Sequence, residues 1–311
     1  MSEKTLIARH AFTVWVGQLA VMAFGVTDTV VAGRYDPTAL AALSVGSAVY
    51  ISVFVTLMGL LQATLPMLSE LHGAQRHADM GRLMRQSIYI WLGASALGMA
   101  VLMNAGMALE WTQVPMPLRP TIEHYLDVLA AALPAALAFR LYGNLNQSLG
   151  RPKAVTWVQL LGLACKIPLS ALLTFGWSDH SGLGVVGCAL ATLIVNWLMA
   201  AFALLALHRG NYGDLHLWRR IEPPDPSKIS AMLRLGLPNA GSITVEVTSY
   251  TLMALLISRL GSTAAASHQI MSNMGALLYM VPLSLSIRSE EHTSELQSHL
   301  NLVCRLLLEK K

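Results

Sequence analysis

The sequence predicts an all-α polytopic membrane protein, and two observations carry that prediction. Of 311 residues, 54% are hydrophobic and only 12% charged, against roughly 25% charged in an ordinary soluble domain. The apolar residues also fall in long runs. No Asp, Glu, Lys or Arg occurs in the 33 residues from Pro37 to Ser69, the 29 from His180 to His208, or the 28 from Leu260 to Ile287. A helix crosses the hydrocarbon with about 20 residues, whereas a barrel strand takes about 9–11 and alternates every second one. Runs of this length without alternation are helices, and they exclude a soluble enzyme.

Eight spans are expected, near residues 11–33, 39–69, 86–109, 121–149, 154–177, 183–207, 233–258 and 264–287. The first is preceded by Glu3, Lys4 and Arg9, exceeds a signal-peptide core, and has no small-x-small cleavage site after it, so it is expected to remain as an anchor. With the amino terminus in the cytoplasm, Lys4, Arg9, Arg76, Arg82, Arg85, Arg151, Lys153, Arg209, Arg219, Arg220, Lys228 and Arg234 lie inside. Only Arg34, Arg119 and Arg259 lie outside. Twelve against three predicts that orientation. The loop 208–232, with Gly210, Gly213 and Glu222-Pro223-Pro224-Asp225-Pro226, reads as a cytoplasmic linker after six spans. Across it, Thr38-Ala39-Leu40-Ala41-Ala42 lies on Ser262-Thr263-Ala264-Ala265-Ala266, each opening the second span of its half. The expected organisation is therefore a six-helix lobe over 1–207, the linker, and two helices of a second lobe over 233–287. From Arg288 the text changes to eight charges in 24 residues. This tail, 288–311, resembles a translated sequencing adapter and is set outside the fold; the alternative is a short amphipathic cytoplasmic helix.

An ionisable group at a helix centre in hydrocarbon costs roughly 2.5–3.5 kcal/mol even on the lenient insertion scale, so each one needs a reason. Lys166, in the fifth span, and Glu246, thirteen residues into the seventh, are both placed near mid-bilayer. Each is read as functional, against a purely structural buried ion pair. Thr244, Thr248 and Ser249 are the oxygen donors nearest Glu246 in sequence. Asp28, about five residues before the outer end of the first span, is open between a functional and an interfacial reading. Asp127 and Arg140 sit nearer the two ends of the fourth span, where reaching toward water is easy, and are read as structural.

Other motifs lack their context. Gly182-Leu183-Gly184-Val185-Val186-Gly187 satisfies GxGxxG but follows no strand and precedes no acid about 20 residues on, so close helix packing explains these glycines better. His72 and His77 have no metal spacing. Cys165, Cys188 and Cys304 are too scattered for a disulfide framework or a zinc knuckle. The net charge of +4 is dispersed in short loops, which excludes a nucleic-acid stripe. No cofactor is expected.

Four segments carry a resemblance: GVTDTVVAGRYDPTALAALSVGSAVY (25–50), GLLQATLPMLSELHGAQR (59–76), GLGVVGCALATLIVNW (182–197), and LGLPNAGSITVEVTSY (235–250) followed by SHQI. In this order and at these helix positions they resemble the MATE (multidrug and toxic compound extrusion) family, most closely its NorM-type branch, over residues 1–287. The resemblance implies twelve helices in two six-helix lobes around a central cavity, exchanging Na⁺ or H⁺ for organic cations, with this chain stopping after the eighth helix. It also implies that Asp28 is the first-helix acid of the coupling site and that Glu246 belongs to a carboxyl-lobe cation site with Na⁺ as a candidate ligand. One departure matters. Where the family commonly carries Asn and then Asn or Asp four residues later, this sequence has Lys166 and Ser170, while the sixth-helix Thr is retained as Thr192. A fixed ammonium at Lys166 is expected to pair with Asp28 in the place of a bound cation.

The function that follows is that of a fragment of a monomeric exporter of lipophilic organic cations, coupled to H⁺ or Na⁺, in the bacterial inner membrane. Carboxylates neutralised alternately by the coupling ion and the drug make such an exchange possible. Two rivals are a lipid-linked oligosaccharide flippase, which needs a cavity rich in Arg and Lys where only Arg140 and Lys166 qualify, and a membrane-embedded enzyme.

Overall fold

The computed structural model describes residues 3–106, 116–176, 182–210, 212–217, 222–258 and 278. Among these every regular element is helical: α1 (Glu3–Tyr35), α2 (Pro37–Gln62), α3 (Thr64–Gly73), α4 (His77–Met103), α5 (Arg119–Ser148), α6 (Pro152–Phe175), α7 (Val185–Arg209) and α8 (Pro226–Ser258), with 3-10 turns at Met116–Leu118 and Gly213–Leu215. Six spans among the described residues are long and apolar enough to cross a membrane. The expected eighth span and the tail lie outside the described residues.

Several boundaries differ from the expectation, α1 beginning at Glu3 rather than near 11, and three of the differences have a plain cause. The second span is two helices, because Pro66 has no N–H to donate to the Gln62 carbonyl and its ring crowds that oxygen, so the chain breaks at Ala63. α4 begins at His77 rather than near 86. Its first turns are polar and interfacial, with Asp79 at the positive end of the helix and Arg76 Nε on its Oδ2 at 2.8 Å. α8 begins at Pro226, where a proline in the first turn loses no hydrogen bond. Hydropathy marks the hydrocarbon slab and misses the helical turns outside it.

α5 is the hub. Its span is 61% buried, against 18–39% for the other five. It packs on α7, α2, α4 and α3; α1 packs on α6 and α2, and α6 on α7. Pro134 sits inside α5, and the indole N–H groups of Trp91 and Trp197 donate to carbonyls in that turn, those of Pro134 at 2.9 Å and Ala131 at 3.1 Å. Neighbouring helices approach closely where glycine removes a side chain. A Cβ on Gly46 would lie 2.6 Å from the Tyr125 ring, and one on Gly98 2.3 Å from Leu133. The larger core joins α2, α4 and α5, and a smaller one around Phe139, Val195 and Met199 joins α5, α6 and α7.

The glycine-rich turn before α7 folds back on the end of α6. Leu183 and Gly184 donate to the carbonyls of Leu173 and Thr174 at 3.0 and 3.3 Å, and Gly184 adopts φ +58°. A Cβ on Gly182 would lie 2.1 Å from the Thr174 oxygen, and one on Gly187 2.5 Å from that of Leu173. These glycines serve backbone contact. α8 packs on α2 and on α4.

Candidate functional site

Three helices bring one buried polar cluster together inside the bundle. On α1, Thr27 and Thr29 turn their hydroxyls back to the Ala23 and Gly25 carbonyls at 2.8 and 2.9 Å, satisfying themselves within the helix. Asp28 between them points at α6. There Lys166 and Ser170, four residues apart, share a face. Cys188 and Thr192 stand in the same relation on α7, and Thr192 Oγ1 donates to the Cys188 carbonyl at 2.9 Å.

Lys166 Nζ lies 2.9 Å from both carboxylate oxygens of Asp28, donates to the Cys188 carbonyl at 3.3 Å, and donates to Thr192 Oγ1. Its three protons therefore all meet acceptors. Ser170 Oγ donates to Asp28 Oδ1 at 3.2 Å, and Thr174 Oγ1 lies 3.3 Å from Cys188 Sγ. Lys166 is 0% and Asp28 9% exposed, so this is a desolvated pair whose unmatched halves would each carry a heavy penalty. Two carboxylate oxygens, a carbonyl and a hydroxyl form the kind of oxygen set that holds a hard cation, and the ammonium of Lys166 takes that seat.

Of the five residues singled out from sequence, Asp28, Lys166, Ser170 and Thr192 converge here. Glu246 does not join them. It is exposed on α8, without an ion pair or hydrogen bond to a described residue. Thr244 spends its hydroxyl elsewhere, donating to the Ala240 carbonyl at 2.7 Å and meeting Thr56 of α2 at 3.0 Å. Glu246 follows Thr244 by two residues, which at about 100° per residue turns it off the face that packs on α2. No group of three His, Cys, Asp or Glu suited to a metal occurs among the described residues. Sequence reasoning missed the Cys188 carbonyl, whose signal is its place one turn before Thr192. Arg140 donates to Gln62 Oε1 at 2.6 Å, and Asn144 donates to Leu61 O and Thr64 Oγ1 at 3.0 and 2.9 Å. These two side chains bind the α2–α3 break to α5. Asp127 is exposed.

The MatE family profile matches residues 14–172, which is 159 of the 311 residues and carries Asp28, Lys166 and Ser170. The chain belongs to the MATE family. This MATE chain is 38% identical over 279 residues to a probable multidrug resistance protein NorM of Aromatoleum aromaticum, covering 89% of the chain and 60% of the relative. It is 35% identical over 300 residues to a probable NorM of Chromobacterium violaceum, covering 94% and 64%. It thus spans less than two thirds of the length of these relatives. Among solved structures, it superposes on an outward-facing multidrug resistance MATE family transporter of the MOP superfamily with TM-score 0.83 at 19% identity, covering 95% of this chain and 66% of that one. On the Vibrio cholerae MATE transporter VcmN in its bent form the TM-score is 0.84 at 17% identity, covering 96% and 67%. At those identities the likeness establishes the fold. Membership of a transporter family answers the embedded-enzyme alternative.

Proposed function

We propose that this MATE chain supplies the amino-terminal lobe and the start of the carboxyl-terminal lobe of a multidrug exporter of the bacterial inner membrane. In this reading the amino terminus is cytoplasmic, the substrates are lipophilic organic cations, and H⁺ rather than Na⁺ is the coupling ion at Asp28. The observation that supports proton coupling is the ammonium of Lys166 at 2.9 Å from both Asp28 oxygens. A metal cation and this ammonium compete for one seat, and the ammonium is tethered to α6 beside it. A proton reaching Asp28 removes the opposite charge, frees Lys166 to reorganise around Thr192 and the Cys188 carbonyl, and loosens α1 from α6. That is a two-state element biased by protonation. Glu246 is the acid left for the second cation site of the family. The flippase reading is disfavoured because the two basic residues it would use are both engaged, Lys166 by Asp28 and Arg140 by Gln62.

The test uses residues 1–287 joined to the remaining portion of the Aromatoleum relative, reconstituted in vesicles and assayed for ethidium movement. A pH gradient should drive transport and a Na⁺ gradient at constant pH should not. Lys166→Asn should bring a dependence on Na⁺. Transport by the parent driven by Na⁺ alone, or a Lys166→Asn variant with both dependences unaltered, would overturn the assignment.

A further inference from the structure

Where α7 ends beside the start of α6, the bundle leaves a polar cavity that is separate from the Asp28 cluster. Its volume is about 370 Å³, and His208, Tyr212, Gly213 and His216 line it together with Leu207 and Leu217. That is the size of a small-molecule site. The wall is fixed from two sides. The Tyr212 hydroxyl donates to Asn146 Oδ1 and the Arg151 N–H to the Asn146 carbonyl, both at 2.7 Å, so the α5–α6 corner and the segment after α7 are pinned to one buried residue. His216 is held in the left-handed region at φ +47°, a conformation that persists in a residue other than glycine only where its surroundings impose it. Its N–H donates to the Gly213 carbonyl at 3.1 Å, and its own carbonyl accepts from Arg85 Nη1 of α4 at 2.7 Å.

The charge around this cavity is positive. The Arg151 guanidinium stands 5.9 Å over the Tyr212 ring, Arg209 directly follows the lining residue His208, and Lys153 is exposed two residues beyond Arg151. Asp214 is the one acid in the stretch 208–217, and Glu222 farther on is spent on Arg82 and Arg85. Arg219 and Arg220 follow in the sequence. The level is that of the membrane surface. Trp157 lies one turn into α6 from Lys153 on the same face and is 66% exposed, and an indole with a lysine just outside it marks the boundary between acyl chains and headgroups.

We propose that this cavity binds the phosphate of an anionic lipid headgroup. Arg151 and Arg209 supply the charge that meets the phosphodiester, the polar wall of His208, Tyr212 and His216 accommodates the glycerol of the headgroup, and Leu207 and Leu217 meet the start of the acyl chains. Basic pockets at the ends of membrane helices recognise headgroups by this chemistry. A soluble phosphate ester shares the phosphate but leaves the two leucines and the interfacial position without a use. A lipid seated there would bridge the α5–α6 corner and the segment after α7. The inference goes beyond the transport reading and is independent of the coupled ion and of the exported substrate.

The experiment titrates the full chain, purified in detergent, with dioleoylphosphatidylglycerol and separately with dioleoylphosphatidylcholine, and counts retained lipid by native mass spectrometry. One phosphatidylglycerol per chain should be retained in preference to phosphatidylcholine. Arg151→Gln with Arg209→Gln should weaken that retention by about fivefold for each charge removed. Lys228→Gln with Arg234→Gln, which removes the same charge from the first turns of α8, should leave it unchanged. Gly213→Trp fills the cavity from a position with nothing within 4 Å of its Cβ, and should weaken retention with no change in charge. Should that variant misfold, Gly213→Leu carries the same arm. A millimolar excess of glycerol 3-phosphate should leave the lipid in place. The site is refuted if the two double variants weaken retention alike, which is the behaviour of a diffuse charged surface, or if filling the cavity has no effect. Displacement by glycerol 3-phosphate would give the cavity to soluble phosphate esters and overturn the lipid assignment.

Discussion

Lys166 and Asp28 show how a single residue pair can be both the most constrained and the most informative part of a membrane bundle. Each is intolerable alone in hydrocarbon and tolerable together, because the opposite charge at 2.9 Å and the oxygens of Ser170, Thr192 and Cys188 replace the lost water. Removing one partner leaves the other buried and uncompensated, at a cost of about 3–5 kcal/mol. Lys166→Met and Asp28→Asn are each expected to lose stability on that scale in a denaturation assay in micelles, and the double variant to recover most of it. Losses that simply add would show that the two groups do not act as a pair. The need for a partner was legible in the sequence, because a lysine twelve residues into an apolar span has no other inexpensive solution. Its fourth ligand, the Cys188 carbonyl, was not legible, since a backbone oxygen carries no residue signature. Glu246 was equally conspicuous as a letter, yet it is exposed on α8, because depth along a helix says nothing about which way the helix is turned.

At the scale of elements, the joints between helices depend on where a Cβ is absent. Gly187 opens α7 against the backbone end of α6, and a Cβ there would sit 2.5 Å from the Leu173 oxygen and 2.8 Å from Thr174 N, atoms that have no rotamer with which to move aside. Gly187→Ala is therefore expected to lower stability by about 1–3 kcal/mol. Gly93, on the open side of α4, has nothing within 4 Å. Gly93→Ala should be neutral or stabilising by up to about 1 kcal/mol through helix propensity. Thermal melting of the two variants beside the parent checks the contrast, and equal losses would contradict it. The same reasoning reads the α2–α3 break from Pro66 alone, while the way Arg140, Gln62 and Asn144 bind that break to α5 required the fold, because the partners are some 80 residues apart.

For the whole molecule, the fastening of the segment before α8 to α4, where Arg82 and Arg85 donate to the Glu222 carboxylate at 2.9 and 3.0 Å, makes one prediction about pH. Hydrogen bonds from Arg85, with the charges of Arg82 and Arg85 beside it, hold the Glu222 carboxyl below its ordinary value of 4.5. A carboxyl lowered on folding contributes stability that is complete above the unfolded value and is lost as pH falls through the folded one. Amide hydrogen exchange around Asp225, corrected for the intrinsic pH dependence, should therefore be protected at neutral pH and lose protection below about 4.5 in the parent. Glu222→Gln should remove that step, and a step of the same size in the variant would place its origin elsewhere. By itself the sequence determined that this chain is all-helical with long apolar spans, the approximate place of the first six of them, and which charges within them demanded partners. It did so because hydrocarbon penalises unpaired backbone and charge so heavily that few arrangements of such a text survive. The tertiary structure alone decided that the loop before α8 is bound to α4, that Glu246 lies apart from the Asp28 cluster, and that α5 is the hub. Those outcomes depend on the azimuth of each helix and on contacts between residues up to about 140 positions apart, and short-range periodicity carries no information about either.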